Sequence, residues 1–264
     1  MESKAAIIGG SGFSFPIDNP QEIRVSTPYG PPSANPVVGK IGTREIVFLP
    51  RHGLGHQYPP HKIPYQANIY ALKELGVSQI ITCTAVGSIQ RKIIPGSFVI
   101  LDQFVNWTKN RPDTFFNGPV TTHISTAFPY CTRLGKLAKK YAGSLGIRAH
   151  TKGTVVVVEG PRFSTAAESL FFTRMGWDVI NMTQYPEIAL AREMGMCYMA
   201  LGLVTDYDAG VITKNDIKPV STSEVLAVFR ENNQKAAQLM LEIVKHLPEK
   251  NTCDCHKVLE NAQI

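Results

Sequence analysis

No apolar run among the 264 residues approaches the ~20 needed to cross a bilayer, and the N-terminus lacks a signal-peptide pattern. A soluble, cytoplasmic protein with no membrane partner is expected. Charge is scarce as well. Only 18% of residues are charged, and the formal excess of +6 is scattered, with no long Lys/Arg run beyond the short Lys139-Lys140. Such an excess suits an anionic small substrate as well as nucleic acid. No nucleic-acid module is recognisable, so no nucleic-acid partner is expected. The first 80 residues contain no cysteine. Of the five that follow, Cys83 lies in an apolar run and reads as a buried small hydrophobe. Cys253-Asp254-Cys255 lacks the two-residue spacer of common zinc and thioredoxin motifs. A lone CxC closes a strained disulfide, chelates a metal weakly or stays as free thiols, and Cys131 with Cys197 is the remaining long-range pair. A dinucleotide fingerprint is excluded, because Gly10-x-Gly12 is followed by Phe15 where a third glycine belongs. His52, His56 and His61 lack nearby acid or cysteine co-ligands, so no metal is expected there.

What is present is an α/β pattern. Buried strands are expected at Ala5–Ile8, Ile46–Leu49, 79–84, 97–101, 153–158, 178–181 and Met199–Val204. Helices are expected over 64–75, 132–145 and 164–175, each stopped by glycine, and from near Pro186. Residues 19–37 read as an irregular loop, 84–88 as a glycine-bearing turn, and 106–130 as a long connection containing His123. Ser221-x-x-Glu224 is a capping box for a helix with Leu226, Phe229, Ala236, Leu239, Met240 and Ile243 on its apolar face. This alternation predicts a single domain over 1–247, a central mixed and largely parallel sheet flanked by helices, with a polar tail over 248–264 carrying the CxC.

The strand ends carry the chemistry. Glycines and Ser11 after the first strand offer N–H and hydroxyl donors to an anion, and Arg51-His52 follow the strand over 46–49. Thr84-Ala85, Phe163, Asn181-Met182-Thr183 and Thr205-Asp206-Tyr207-Asp208 close the later strands. In extended chain Asp206 and Asp208 point to one side. Two acids at the mouth of an apolar strand are costly unless something is bonded to them. Anion donors, a polar and thioether floor, an aromatic face and two carboxylates together suit a nucleoside and a phosphate.

Six runs carry a resemblance: Ile7-Ile8-Gly9-Gly10-Ser11-Gly12, Pro50-Arg51-His52-Gly53, Tyr65-Gln66-Ala67-Asn68-Ile69, Glu159-Gly160-Pro161-Arg162-Phe163-Ser164, Asp178-Val179-Ile180-Asn181-Met182-Thr183 and Thr205-Asp206-Tyr207-Asp208. In order and spacing, as far as about residue 247, they resemble the 5'-methylthioadenosine phosphorylases, which belong with the trimeric purine nucleoside phosphorylases. The resemblance implies phosphorolysis of methylthioadenosine to adenine and 5-methylthioribose 1-phosphate, on a sheet partly closed as a barrel, with phosphate as co-substrate and no cofactor or metal. It implies phosphate ligands at Ser11, Arg51, His52, Thr84, the Ala85 backbone and Thr183. Met182, with Ile180, Asn181 and Thr205 about it, would sit against the ribose, and Phe163 against the purine. Asp206 would protonate the departing purine at N7, its pKa raised by a dry pocket beside a second acid. Asp208 would stay ionised on the 6-amino edge.

Two handles on substrate follow from the same resemblance. Ser164 stands where the family's 6-oxopurine members carry glutamate, and Asp206 where they carry asparagine, so both favour adenine. The 5' end would be lined from the helix start near Val220 and Val225, with His123 supplied by a neighbouring subunit, implying a trimer or a pair of trimers. Thr222 departs from the usual valine, which leaves room for adenosine. The CxC and the Cys131/Cys197 pair resemble the disulfide-bearing members from hot-growing archaea. The alternatives are a broader purine nucleoside phosphorylase acting on adenosine, inosine, guanosine or methylthioinosine, and a nucleoside-binding protein without turnover.

Overall fold

The computed structural model describes residues 4–10, 16–211, 219–248, 252–260 and 262–263. In chain order the elements are β1 (Lys4–Gly9), β2 (Asp18–Glu22), β3 (Val37–Ile41), β4 (Arg44–Pro50), α1 (Tyr65–Glu74), β5 (Val77–Ser88), β6 (Phe98–Ile100), β7 (Gln103–Trp107), α2 (Thr132–Ser144), β8 (Ala149–His150), β9 (Thr154–Val158), α3 (Ala166–Arg174), β10 (Val179–Asn181), α4 (Gln184–Glu193), β11 (Cys197–Tyr207) and α5 (Thr222–Lys245). No described helix is long and apolar enough to cross a membrane.

The period-2 rule of strands sorts the core onto the two faces of one sheet. Ala5 and Ile7 of β1, with Met199, Leu201 and Leu203 of β11, face one way and pack with α2 and α5. Ala6 and Ile8, with Tyr198, Ala200 and Val204, face the other and pack with Ile69 and Leu72 of α1 and Ile188 and Leu190 of α4. Strands buried on both faces read as continuous apolar runs, which is why β1 and β11 are legible in the sequence.

The sheet runs β2-β3-β4-β1-β5-β10-β9-β7, with β11, β6 and β8 branching from β5. It is mixed, as expected, but the expected partial barrel is not found: the pairing among described residues does not close. The reason lies in β5. Its first half pairs in parallel with β1 as far as Ile8↔Thr82. Farther along the same strand, β10 joins antiparallel at Ile180↔Gly87 and Val179↔Ser88, while β11 pairs β5 along its length. The sheet therefore forks. Between the departing β1 and the arriving β10, no described strand pairs that edge of residues 83–86, and this gap between the strand ends is the crevice on which the polar residues below converge.

Three local expectations need correction. Residues 84–88 are strand rather than turn, because β10 and β11 both hold them. The segment 19–37 is not all loop: β2 and the start of β3 form an edge hairpin there. Its outer strand is fully exposed and contains Pro20, a pattern tolerated only at a sheet edge and invisible to an apolar-periodicity reading. The connection 106–130 begins inside β7, and β8 has only two residues. At the helix starts, Ser221 Oγ accepts from Glu224 N at 3.3 Å. A reciprocal capping box is complete at Thr165/Glu168.

Candidate active site

Arg51 and His52 leave β4 in a tight turn closed by Gly53 N donating to Pro50 O at 3.1 Å. Gly53 has φ +79°, a left-handed conformation that favours glycine. Arg51 is fully buried. Its fork does not point freely at an anion. Nε donates to Glu187 Oε2 at 2.6 Å and Nη2 to Glu187 Oε1 at 2.8 Å, while Nη2 also meets the Thr82 hydroxyl. Burial alone would lower its pKa, yet the facing Glu187 carboxylate holds it above its ordinary value and so charged. Nη1 has no hydrogen-bond partner among the described residues and lies on the Gly10 side, 3.7 Å from where a Gly10 Cβ would stand. That single N–H₂ is the donor left for a ligand.

His52 is buried and stacks on His56 with ring centroids 4.3 Å apart. Burial pushes its pKa down to about 4, so the ring is neutral near pH 7. Nδ1 lies 2.9 Å from the Tyr58 carbonyl, which can only accept, so Nδ1 carries the hydrogen and Nε2 is left as an acceptor.

At the crevice floor, Thr84 Oγ1 lies 3.3 Å from Thr183 Oγ1 and 3.5 Å from Asn181 Nδ2. This unites β5 with the β10–α4 turn. Ala85, Ile180 and Met182 flank it on the same two strand ends. Ser11 lies outside the described residues. Gly10 is the last described residue before it.

The acids stand at the far edge of the crevice. A register shift between Val204 and Asp206 sets Asp206 opposite Gly87. A Cβ on Gly87 would be 3.1 Å from Asp206 Oδ2, 3.1 Å from Ile180 Cγ2 and 3.6 Å from Asp208 Cβ, so glycine permits both acids and Ile180 to converge. Thr205 Oγ1 donates to Asp206 Oδ1 at 2.6 Å. Burial pushes Asp206 up to about 6; the Thr205 bond opposes this, and the charges of Asp208 and then of Glu224 add to it. Glu224 belongs to the first turn of α5, so that turn, with Thr222 exposed and Val225 half-buried, borders the acids. Burial raises Asp208 as well. The Ser169 and Ser164 hydroxyls approach its carboxylate without closing a well-formed hydrogen bond, and Asp208 Oδ2 has no partner among the described residues. Phe163, 37% exposed, precedes Ser164 on the loop into α3.

His123 is not brought to this site within the chain. It is exposed, and its backbone N–H donates to the Ala262 carbonyl at 2.8 Å. The three N-terminal histidines do not gather as metal ligands. Among the described residues, the group that does is four cysteines elsewhere in the fold.

Two site residues escape sequence reasoning. Glu187 sits at 0% exposure inside α4, and the readable signal is an acid leading straight into the apolar run Ile188–Ala191. Arg111 is buried in the long connection, where nothing local marks it. It donates to the carbonyls of Met182 at 3.0 Å and Glu159 at 2.7 Å, and so ties the 158–160 loop to the β10–α4 turn.

Residues 4–245 match the model of the phosphorylase superfamily. The chain is 47% identical to S-methyl-5'-thioadenosine phosphorylase of Thermofilum pendens, over 99% of this chain and 98% of the relative. It is 44% identical to a probable 6-oxopurine nucleoside phosphorylase of Dictyoglomus turgidum, over 97% of each chain. Among solved structures, it superposes with a TM-score of 0.88 on a variant of the adenosine/methylthioadenosine phosphorylase of Schistosoma mansoni bound to methylthioadenosine. That pair is 34% identical and covers 97% of this chain and 95% of the other.

Proposed function

The chain belongs to the phosphorylase superfamily and is a pentosyltransferase, and on that premise we propose that it cleaves 5'-methylthioadenosine with inorganic phosphate, releasing adenine and 5-methylthioribose 1-phosphate. The observation that carries this reading is the fork at β5. Thr84 meets Thr183 and Asn181 on one side, and three residues on Gly87 lies against Asp206. Anion ligands and a raised-pKa acid thus share one crevice, as a nucleoside attacked by phosphate requires.

Phosphate binds to Ser11, Arg51 Nη1, His52, Thr84, the Ala85 backbone and Thr183. His52 enters as a neutral acceptor at Nε2 and accepts a hydrogen bond from the P–OH of hydrogen phosphate, which keeps its proton and aims an unprotonated oxygen at C1'. As C1'–N9 breaks, its electron pair moves onto the purine while positive charge builds on the ribosyl ring. The phosphate oxygen stabilises that charge and then bonds C1'. Asp206 gives its proton to N7 and ends ionised, and Asp208 accepts from the 6-amino group. Ile180, Asn181, Met182 and Thr205 hold the ribose, and Phe163 covers the base. The reading calls for no cofactor beyond phosphate as co-substrate.

The monomer is completed by its copies. Trp107, Phe171 and Met175 are 47%, 42% and 50% exposed, and Trp107 and Phe171 form an aromatic cluster with Trp177. A patch of this kind supports self-association, and exposed His123 is available to a neighbour's 5' pocket with Thr222 and Val225. A sedimentation mass of a trimer or a pair of trimers is expected; a monomer would remove His123 from the reading.

The second reading is a 6-oxopurine nucleoside phosphorylase, favoured by the Dictyoglomus relative. Ser164 and the Asp206/Asp208 pair argue against it, since the ionised Asp208 that accepts from a 6-amino group repels a 6-oxo group. Base release from methylthioadenosine, adenosine and inosine, with and without phosphate, separates the two. Adenine released only with phosphate, and fastest from methylthioadenosine, is expected. Faster inosine cleavage would select the second reading, and release without phosphate would overturn phosphorolysis.

Gly87→Ala tests the convergence directly. The added methyl displaces Asp206 or Ile180 by a few tenths of an ångström or more. We expect kcat/KM for the nucleoside to fall by about 10²-fold with little change in the KM for phosphate, because small misplacements at reacting atoms cost that much. An unchanged kcat/KM would mean that Asp206 does not touch the base.

A further inference from the structure

The pairing of β9 with β10 ends at Asn181↔Val157, and beyond it the two backbones carry different parts of the site. One runs through Glu159-Gly160 toward Phe163 and Ser164, and the other turns through Met182 and Thr183 into α4. A side chain from a third segment spans them. Arg111 Nη1 donates to the carbonyls of Met182 at 3.0 Å and Tyr185 at 2.5 Å. Nη2 donates to those of Glu159 at 2.7 Å and Val158 at 3.4 Å, and Nε to Glu159 Oε1 at 3.4 Å. A guanidinium carries five N–H groups in one plane, and here each has an acceptor. One edge of the fork serves the β10–α4 turn, and the other serves the end of β9. Gly160, with φ +68°, lies so close to that turn that a Cβ on it would be 2.6 Å from Met182 Sδ. The loop toward Phe163 thus rests on the Met182 side chain while Arg111 holds both backbones.

From this geometry we infer that Arg111 is a positioning residue of the nucleoside site, setting the gap between the loop that bears Phe163 and the turn that bears Met182. The inference rests on the reading of those two side chains as the purine and ribose contacts. The guanidinium has a fixed seat. Arg111 is buried, with Cζ 5.6 Å from the centroid of the buried Tyr65 ring and Nη1 3.5 Å from the Tyr65 hydroxyl. The chain on either side of it is pinned as well. Lys109 N donates to Glu159 Oε2 at 2.7 Å, and the Tyr185 hydroxyl donates to Asp113. Thr114 Oγ1 and Phe115 N donate to the Glu193 carboxylate, each at 2.7 Å, and Gln66 of α1 donates to the Thr114 carbonyl at 2.7 Å. Lysine cannot take over this work, since an ammonium is a point charge with no plane to bridge two backbones. Phosphate should feel Arg111 less than the nucleoside does, because Thr183 is held separately at the crevice floor, with Oγ1 3.3 Å from Thr84 Oγ1.

The test measures adenine release by the full-length wild type and by Arg111→Lys, varying methylthioadenosine and phosphate in turn. Arg111→Lys is expected to raise the KM for methylthioadenosine about 10-fold and to lower kcat about 10-fold, the scale of loss that a misplaced substrate brings. The KM for phosphate should stay within about threefold of the wild-type value. A lower melting temperature with both constants for the nucleoside unchanged would make Arg111 purely structural and overturn the inference. An effect confined to the phosphate KM would overturn it too. Should Arg111→Lys fail to fold, Arg111→Ala is assayed with guanidinium chloride at a non-denaturing concentration and with sodium chloride at the same ionic strength. Guanidinium alone should restore about 10-fold in kcat/KM for the nucleoside; an equal response to both salts would count against the inference. A wild type that releases no adenine with phosphate would instead overturn the proposed reaction. Calorimetric binding of methylthioadenosine would then decide the positioning role by itself, with a Kd about 10-fold weaker in Arg111→Lys supporting it and an equal Kd overturning it.

Discussion

Asp206→Asn is expected to lower kcat for adenine release by about 10²- to 10⁴-fold, the usual contribution of a positioned general acid. The same substitution is expected to make the protein more stable above pH 7. The two effects share one cause. Burial raises Asp206 from 3.8 to about 6, so the folded state holds its proton where the unfolded chain has released it. A folded pKa above the unfolded one gives stability that is present at low pH. It is lost as pH rises through the interval from 3.8 to about 6. Above that interval the folded protein carries a buried anion at a penalty of at most roughly 3 kcal/mol, and less after partial solvent screening. Asparagine keeps the shape and removes the charge, so melting at pH 8 should shift upward and melting at pH 4 should hardly move. In the wild type, kcat/KM should decline as pH rises through about 6 in the free enzyme, and the variant's residual activity should lose that limb. Adenine release at the wild-type rate would sink the general-acid role. An unchanged melting temperature at pH 8 would show that the carboxylate is solvated rather than buried. A site that weakens its fold where it does its chemistry is the expected trade of function against stability.

The strand ends that bear this chemistry were legible because their strands are buried on both faces. Ile7-Ile8, Val47-Phe48-Leu49 and Met199–Val204 are apolar runs that stop at polar residues, and the structure puts Gly9, Arg51 and Asp206 where each run stops. The helix stops at Gly76, Gly146 and Gly176 were legible for a similar reason, since each has positive φ just past a helix. What stayed hidden depends on pairing rather than composition. Whether Thr84–Ser88 is turn or strand is settled by β10 and β11 arriving from residues 179–207, and nothing local announces them. The same holds for the register shift that turns Asp206 toward Gly87, and for the open sheet where a partial barrel was expected. Arg111 illustrates a third limit. Its role is to satisfy carbonyls of two other segments, and a lone arginine in an irregular stretch carries no periodic signal. Cys131, Cys197 and the CxC were each noticed in the sequence, but that their four sulfurs meet was not readable, because they come from three distant segments.

Glu187→Gln should expose how the anion site is balanced. Arg51 is a fully buried cation whose free Nη1 lies on the Gly10 side, and Glu187 matches it with two short bonds while accepting from Tyr198 Oη at 2.6 Å. Guanidinium and carboxylate cancel, and His52 is neutral, so the empty site has little net charge beyond its dipoles. The pair keeps the arginine from being an unpaired buried charge, and in the proposed reaction it would keep phosphate from being held too tightly to attack. Glutamine keeps the shape and one acceptor but removes the compensating charge. Breaking a buried pair costs about 3–5 kcal/mol, and the retained hydrogen bond sets the expectation at the lower end, about 3 kcal/mol. Phosphate then becomes the only available counter-anion for Arg51. It should therefore raise the variant's melting temperature by more than it raises the wild type's, since a ligand stabilises in proportion to the logarithm of its occupancy over Kd. In kinetics, the KM for phosphate should fall while kcat falls further, the signature of an anion held too firmly in the ground state. Equal protection of both proteins by phosphate would detach Arg51 from the phosphate site altogether. Glu187 would then be a structural ion pair, and the anion would be carried by the Thr84–Thr183 pair and the neighbouring backbone.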